Sequence, residues 1–350
     1  MFEKQKLWDV RPKWLDGFGV YSDIVVAGRI RLARNLKNFG FPHKASQDQL
    51  EKILTQVADA VEETRKFTGL SFWWIEEFSE LERQLLLERK VISPEFARKT
   101  ERTALALGEW GRLSVMVNEE DHLRIQLLDT GIQLDVLWDQ IQNIERLLAQ
   151  KLIFSFSDDF GYLTCCPTNT GTGLRGSILL HLPALEHTGQ LKSVFNEEKS
   201  FDLSIRGYFG EGSEVVGSMY QISNKLTLGL TEFNLLDGLL KIALKIVDKE
   251  LKVRREFMEN RNIGIQDKIF RSLGILERAR LISSSEFMQH YSNLLLGIDL
   301  GYLPEINRLD LQNLFLWTQP AHLQWREGKE LHALERDVMR AEIIKSELRL

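Results

Sequence analysis

Apolar and polar residues alternate along this chain in two rhythms. From Ser46 to Gly69, Leu50, Ile53, Leu54, Val57 and Val61 recur at the three-and-four spacing that gives a helix one apolar face. Ser46 with Gln49 three residues later forms a capping-box signature, and Gly69 provides a stop. A second helix is predicted from about Gly131, carried by Leu134, Leu137, Ile141, Ile144 and Leu148. Between them the rhythm shortens to two. Leu113–Val117 and Leu123–Leu127 are predicted strands, and in the second Leu123, Ile125 and Leu127 alternate with Arg124 and Gln126. The connector Asn118–His122 is acidic. Ile178–Leu182 is another apolar run, Arg206–Gly217 reads as a glycine-rich mobile loop, and a long charged helix is predicted from about Glu232 to Asn260. Beyond Asn262 the chain is leucine-rich and helical to its end, broken at Pro304 and Pro320. The pattern therefore mixes helix and strand up to a boundary near 255–265 and is all-helical after it.

Length and charge narrow the class without deciding it. The 350 residues, at about 100–200 per domain, fit two domains. A net charge of −5 gives no global attraction to nucleic acid or an anionic membrane, so an anion site has to be local. No run approaches the roughly 20 apolar residues of a membrane span, and Met1–Val10 lacks the apolar core of a signal peptide. The only cysteines, Cys165 and Cys166, are adjacent and cannot build a disulfide framework, so a cytoplasmic protein is expected.

Two short motifs mislead. Gly171-Thr172-Gly173-Leu174-Arg175-Gly176 satisfies GxGxxG, and Asp159-Phe160-Gly161 spells DFG. In a protein kinase the glycine loop lies far upstream of DFG with HRD between; here DFG comes first and HRD is absent. A dinucleotide fold needs a strand running into the glycines, and Pro167 with its Thr/Asn-rich surroundings argues against one.

The arginines carry more. In Arg29-Ile30-Arg31, alternate arginines on an extended segment point the same way and can converge on one polyanion. Arg124 lies on the polar face of its strand beside Glu119, Glu120 and Asp121, while Arg175 and Arg206 adjoin glycine-rich stretches. Five arginines flanking two acidic loops, the second containing Glu211, suggest a phosphate clamp.

The runs RIRLARNL (29–36), NEEDHLRIQ (118–126), CPTNTGTGLRGS (166–177), RGYFGEGSE (206–214) and ISNKLTLGLTE (222–232) occur in the order found in the ATP:guanidino phosphotransferases, the phosphagen kinases. Over roughly residues 22–255 the chain resembles their catalytic domain. Only 28 residues precede Arg29, where those kinases carry a helical domain, and a helical extension follows instead. This arrangement resembles the bacterial protein arginine kinases, whose extension bears an RDxxRA motif matched here by Arg336-Asp337-Val338-Met339-Arg340-Ala341.

The resemblance implies an α+β fold: a phosphagen-kinase-type catalytic domain with an antiparallel sheet flanked by helices (residues 1–258), then an all-helical C-terminal domain (259–350) for phosphoarginine binding and dimerisation. It implies transfer of the γ-phosphoryl of ATP, with Mg²⁺, to protein arginines, marking them for Clp-type proteolysis. Arg29, Ile30, Arg31, Arg124, Arg175, Ser177, Arg206 and Gly207 would bind ATP; Glu120, Glu211 and Cys166 would be catalytic. Arg336, Asp337 and Arg340 would bind phosphoarginine allosterically, on a final helix whose apolar stripe is Leu331, Leu334, Val338, Ala341 and Leu348. Implied partners are an McsA-type activator, a Clp-type protease and a second copy of the chain, with no nucleic acid and no membrane. Ala27-Gly28, Lys90 and Gly176 depart from the family pattern, Lys90 replacing a nucleotide-contacting histidine. Two readings stay open beside this one: a kinase of free arginine or another small guanidino compound, and a silent phosphoarginine-binding adaptor.

Overall fold

The computed structural model describes residues 4–197, 203–207 and 216–348. Its strands are β1 (Val25–Arg34), β2 (Ser71–Trp74), β3 (Ala104–Gly108), β4 (Leu113–Val117), β5 (Leu123–Thr130), the two-residue β6 (Phe156–Ser157) and β7 (Gly161–Tyr162), β8 (Leu174–His181), β9 (Leu203–Gly207) and β10 (Met219–Asn224). The helices of the mixed part are α1 (Lys4–Asp9), α2 (Gln47–Thr68), α3 (Glu80–Glu88), α4 (Pro94–Arg98), α5 (Leu134–Ala149), α6 (Pro183–His187), α7 (Leu191–Glu197) and α8 (Glu232–Glu259). After them come α9 (Ile263–Arg278), α10 (Ser284–Asp299), α11 (Arg308–Trp317), α12 (Pro320–Glu327) and α13 (Ala333–Glu347).

Eight strands make one sheet in the order β2-β3-β4-β5-β1-β8-β10-β9, every pair antiparallel. The first strand in the chain thus lies inside the sheet. β6 and β7 form a separate ribbon. The amphipathic helices predicted from sequence are α2 and α5, and α2 begins with the full Ser46/Gln49 capping box. Together with α8 they cover one face, where Ile30, Leu32, Ile125, Leu127, Ile178 and Ile222 are fully buried in the main core. On the opposite face α3 and α4 close a smaller core over Leu105, Leu107 and Met116 at the β3–β4 end. The rest of that face, on β5, β1, β8, β10 and β9, is polar.

The structure departs from two expectations. The predicted loop from Arg206 begins inside a strand: Arg206 and Gly207 pair with Gln221 and Tyr220, while residues 208–215 lie outside the described residues. The stripe on α13 is turned in part: Leu331, Ala341 and Leu348 are buried as expected, but Leu334 and Val338 are 65% and 36% exposed, and Arg340, Ile343 and Ile344 are buried beside Ala341. The arginine is buried because its polar atoms find partners, as shown below, so polarity alone misplaced the face. β2, β3 and β10 lie in segments for which no strand is predicted.

The C-terminal helices dock on the mixed part through α12 against α3 and α10 against α6. No helix is long and apolar enough to cross a membrane among the described residues.

Candidate active site

Register decides which side chains share the polar face. Arg29 stands opposite Ser177, Arg31 opposite both Arg175 and Gln126, and Ala33 opposite Arg124. Ser177 stands opposite Ser223, and Gln221 opposite Arg206. Directly paired residues point to the same side of a sheet. Arg29, Arg31, Arg124, Arg175 and Arg206, expected to act together, therefore share one face with Ser177, Gln126, Gln221 and Ser223. Ile30 points the other way and is fully buried in the core, so only its backbone borders the site. Arg34 also faces the core, bonded to Glu145 at 2.5 Å and stacked 3.5 Å over the Tyr162 ring.

Neutral groups accept from three of the cations on this face, whereas Arg124 meets carboxylates. Arg29 donates to Ser177 Oγ at 3.2 Å and to Gln221 Oε1 at 3.0 Å. Arg175 donates to Ser223 Oγ at 3.5 Å, and Arg206 to Ser204 Oγ at 3.0 Å. Arg31 Nε is buried without a hydrogen-bond partner among the described residues. Burial, then repulsion from Arg124 and Arg175, lowers the Arg29 guanidinium to about 10. The same causes, with Arg29 added, push Arg31 down further. Groups in this state gain by meeting an anion, and the planar forks suit phosphate oxygens.

Lys90 joins the cluster from the loop after α3. Its carbonyl accepts from Gln126 Nε2 at 2.8 Å. Its amine is lowered to about 7 by desolvation first and the Arg29 charge second, against the opposing pull of Glu88.

At one end of the face stands the acidic connector. Glu119, buried, accepts from Arg124 at 2.8 Å and from Ser93 Oγ at 2.5 Å. Glu120 is more open and accepts from Arg124 at 3.1 Å. Burial raises the Glu120 carboxyl above its ordinary range; Arg124 opposes this, while Asp121, Glu119 and Glu95 add to it. A buried hub anchors the connector. Asp121 Oδ1 accepts from Asn35 Nδ2 at 2.6 Å and from the Cys165 N–H at 2.7 Å. Asn35 Oδ1 accepts from the His122 N–H at 2.9 Å, and His122 Nδ1 accepts from the Leu36 N–H at 2.9 Å. The end of β1, the acidic connector and the cysteine loop are thus tied together. Cys166 is half-buried, with Sγ 3.0 Å from Thr168 Oγ1. Cys165 Sγ lies 3.1 Å from His43 Nδ1, and its thiol is raised by burial and then by Asp121 and Glu120. Gly207 ends β9, buried. Glu211 lies outside the described residues.

Glu119, Asn35, Gln221 and Ser223 also build the site, beyond the residues expected from the sequence. The last two were detectable in the alternation Tyr220-Gln221-Ile222-Ser223, which puts two polar groups on one side of a strand. Asn35 offered no such signal, because its partners are distant in sequence.

In the C-terminal region Arg340 is buried. It donates to Thr318 O at 2.8 Å, Ile282 O at 2.7 Å and Asp337 Oδ1 at 2.6 Å, and burial lowers its guanidinium. Arg336 donates to Leu331 O at 2.6 Å.

Residues 49–253 match the model of the ATP:guanido phosphotransferase C-terminal catalytic domain. The chain belongs to this family. Residues 262–350 match the McsB-type protein-arginine kinase C-terminal domain. Among curated relatives of this phosphotransferase, the protein-arginine kinase of Halothermothrix orenii is 41% identical over 96% of each chain. That of Brevibacillus brevis is 39% identical over 100% of this chain and 99% of its own. Among solved structures, a duplicated taurocyamine kinase from Schistosoma mansoni with bound transition state analog components has a TM-score of 0.61 at 25% identity, covering 69% of this chain and 36% of that one. Lombricine kinase, at 19% identity and a TM-score of 0.60, shares the fold over 69% of this chain and 70% of its own.

Proposed function

We propose that this phosphotransferase moves the γ-phosphoryl group of Mg-ATP onto arginine side chains of proteins. The observation that carries the reading is the sheet register, which gathers five arginines on one face with Glu120 at its end. Phosphoryl transfer needs mainly in-line positioning and neutralisation of phosphate charge. Arg29, Arg31, Arg175 and Arg206, with Ser177 and the Gly207 backbone beside them, bind the phosphates; Arg124 faces the transferring group. Mg²⁺ sits on phosphate oxygens and water, as this ion prefers.

The acceptor guanidinium is cationic and a poor nucleophile until it loses a proton. As its nitrogen bonds to the γ-phosphorus, the bond from phosphorus to the β–γ bridging oxygen breaks and ADP leaves. Glu120, raised by burial, takes the proton, and Glu211 shares that role by resemblance. Cys166 adds negative character beside the guanidinium. On this reading residues 1–258 carry the chemistry. Residues 259–350 sense phosphoarginine through Arg336, Asp337 and Arg340 and pair two chains in the cytoplasm. An McsA-type activator and a Clp-type protease act before and after the reaction.

The test is incubation with Mg-ATP and an arginine-rich unfolded protein, followed by mass spectrometry at neutral pH, where the phosphorus–nitrogen bond survives. Wild-type protein adds phosphate to arginine, and Glu120→Gln slows this by about 10²–10⁴-fold. Transfer to free arginine alone moves the reading to a small-guanidino kinase. Phosphoarginine binding with no ATP turnover moves it to an adaptor.

A further inference from the structure

Glu88, Arg89 and Lys90 join three parts of the molecule in three consecutive residues. Glu88 is the last residue of α3, where a carboxylate is unfavourable to its own helix. It serves another helix instead. Its oxygens accept from the backbone N–H groups of Ala321 and His322 at 2.7 and 3.2 Å, and from His322 Nδ1 at 2.7 Å. Those groups open α12, where orphan donors and the helix dipole favour an anion.

Arg89 is buried and donates to Trp8 O at 3.5 Å and to Val10 O, while its own carbonyl accepts from Trp14 Nε1 at 3.1 Å. Lys90 follows with φ +61°, a left-handed conformation that a lysine adopts only under constraint. The constraint is visible on both sides: Glu88 is clamped to α12, and Gln126, from the arginine face, holds the Lys90 carbonyl. Arg340 of α13 donates to Thr318 O, two residues before α12 begins. The C-terminal helices are thereby connected by hydrogen bonds to the residue whose carbonyl is held by Gln126, the partner of Arg31 in the sheet.

We propose that Glu88 is a positioning residue for nucleotide binding: its clamp on α12 fixes Lys90 against the arginine face, so the C-terminal helices set the affinity of the phosphate site. This rests on the nucleotide role given to that face above. Glu88 touches neither nucleotide nor acceptor and acts through Lys90.

The experiment measures Mg-ADP binding by calorimetry and steady-state kinetics on the full chain, for wild type, Glu88→Gln, His322→Ala and His322→Asn. Glu88→Gln and His322→Ala weaken Mg-ADP binding and raise the KM for ATP by about three- to thirtyfold. Meanwhile kcat at saturating ATP and the KM for the acceptor protein stay within about twofold. His322→Asn, whose amide can replace the Nδ1–H donor, restores nucleotide binding. Nucleotide affinity unchanged in Glu88→Gln and His322→Ala overturns the proposal, whatever happens to their melting temperatures. Equal losses in kcat and in both KM values also overturn it, since they mark general damage. Should Glu88→Gln fail to fold, the two His322 variants decide by the same criterion. A wild-type chain that binds no nucleotide overturns the parent reading, and this one falls with it.

Discussion

Lys90 shows how far one residue's surroundings can set its chemistry. Its amine is brought to about 7 by desolvation and the Arg29 charge, from an ordinary value of 10.5. At pH 8 it is mostly neutral in the free chain. A polyphosphate beside it favours the charged form, so nucleotide binding takes up a proton. Calorimetry at pH 8 in two buffers of different ionisation enthalpy should show that uptake, and Lys90→Met should remove it. The stability sign follows from the same values. Between pH 7 and 10.5 the unfolded chain holds a proton that the folded chain has released, so this group's contribution to stability increases as pH rises through that window. At this scale the sequence was informative where two residues sit at i and i+2, as with Arg29 and Arg31. It was silent where partners come from elsewhere in the chain, as for Glu119 with Ser93.

At the scale of elements, legibility follows length and pattern. α2 and α5 bury one face over four turns or more, and Leu123–Leu127 of β5 alternates apolar with polar, so all three were readable. β9 and β10 are five and six residues long, and glycines after Arg206 concealed the first of them. α13 misled because Arg340 satisfies its donors on carbonyls and Asp337, which lets a cation take a core position. The GxGxxG run also finds its explanation here. Gly171 sits at φ +114°, and a Cβ there would lie 2.3 Å from Thr227 O. The same contact between two loops has the Thr227 hydroxyl donating to Thr168 O and Thr170 O at 2.9 and 2.7 Å. These glycines let backbones approach each other, and the segment next to Cys166 depends on it. Gly171→Ala should destabilise the fold by about 1–3 kcal/mol, read as a lower urea midpoint, and reduce phosphotransfer by displacing Cys166.

Across the whole molecule, a buried ion network ties α6, α8, α10 and α11 together and reaches β8 through the Arg254 bond to His181 O at 3.5 Å. Glu250 of α8 is fully buried and accepts from the Ala184 and Leu185 N–H groups at 3.0 and 2.9 Å and from Arg254 at 2.9 Å. Arg254 reaches on to Asp299 of α10 at 2.9 Å, which also pairs with Arg308 of α11. Arg254→Met leaves the buried Glu250 carboxylate without a cation and Asp299 with Arg308 alone, and should cost about 3–5 kcal/mol in urea unfolding. No pattern in the sequence announces this network, since its members come from four separate helices, Glu250 bonding to a backbone 66 residues away, and look like ordinary helix charges. The place of β1 in the sheet has a consequence of another kind. Chains emerge from the ribosome at about 5–20 residues per second. β1 is made among the first elements, yet its neighbours β5 and β8 begin only at Leu123 and Leu174. For several seconds the newborn strand has two open edges and no cover, the condition in which strands pair with the wrong neighbour. Arg29 and Arg31 break up its apolar run during that wait, so the side chains that later receive phosphate also keep the young chain from aggregating.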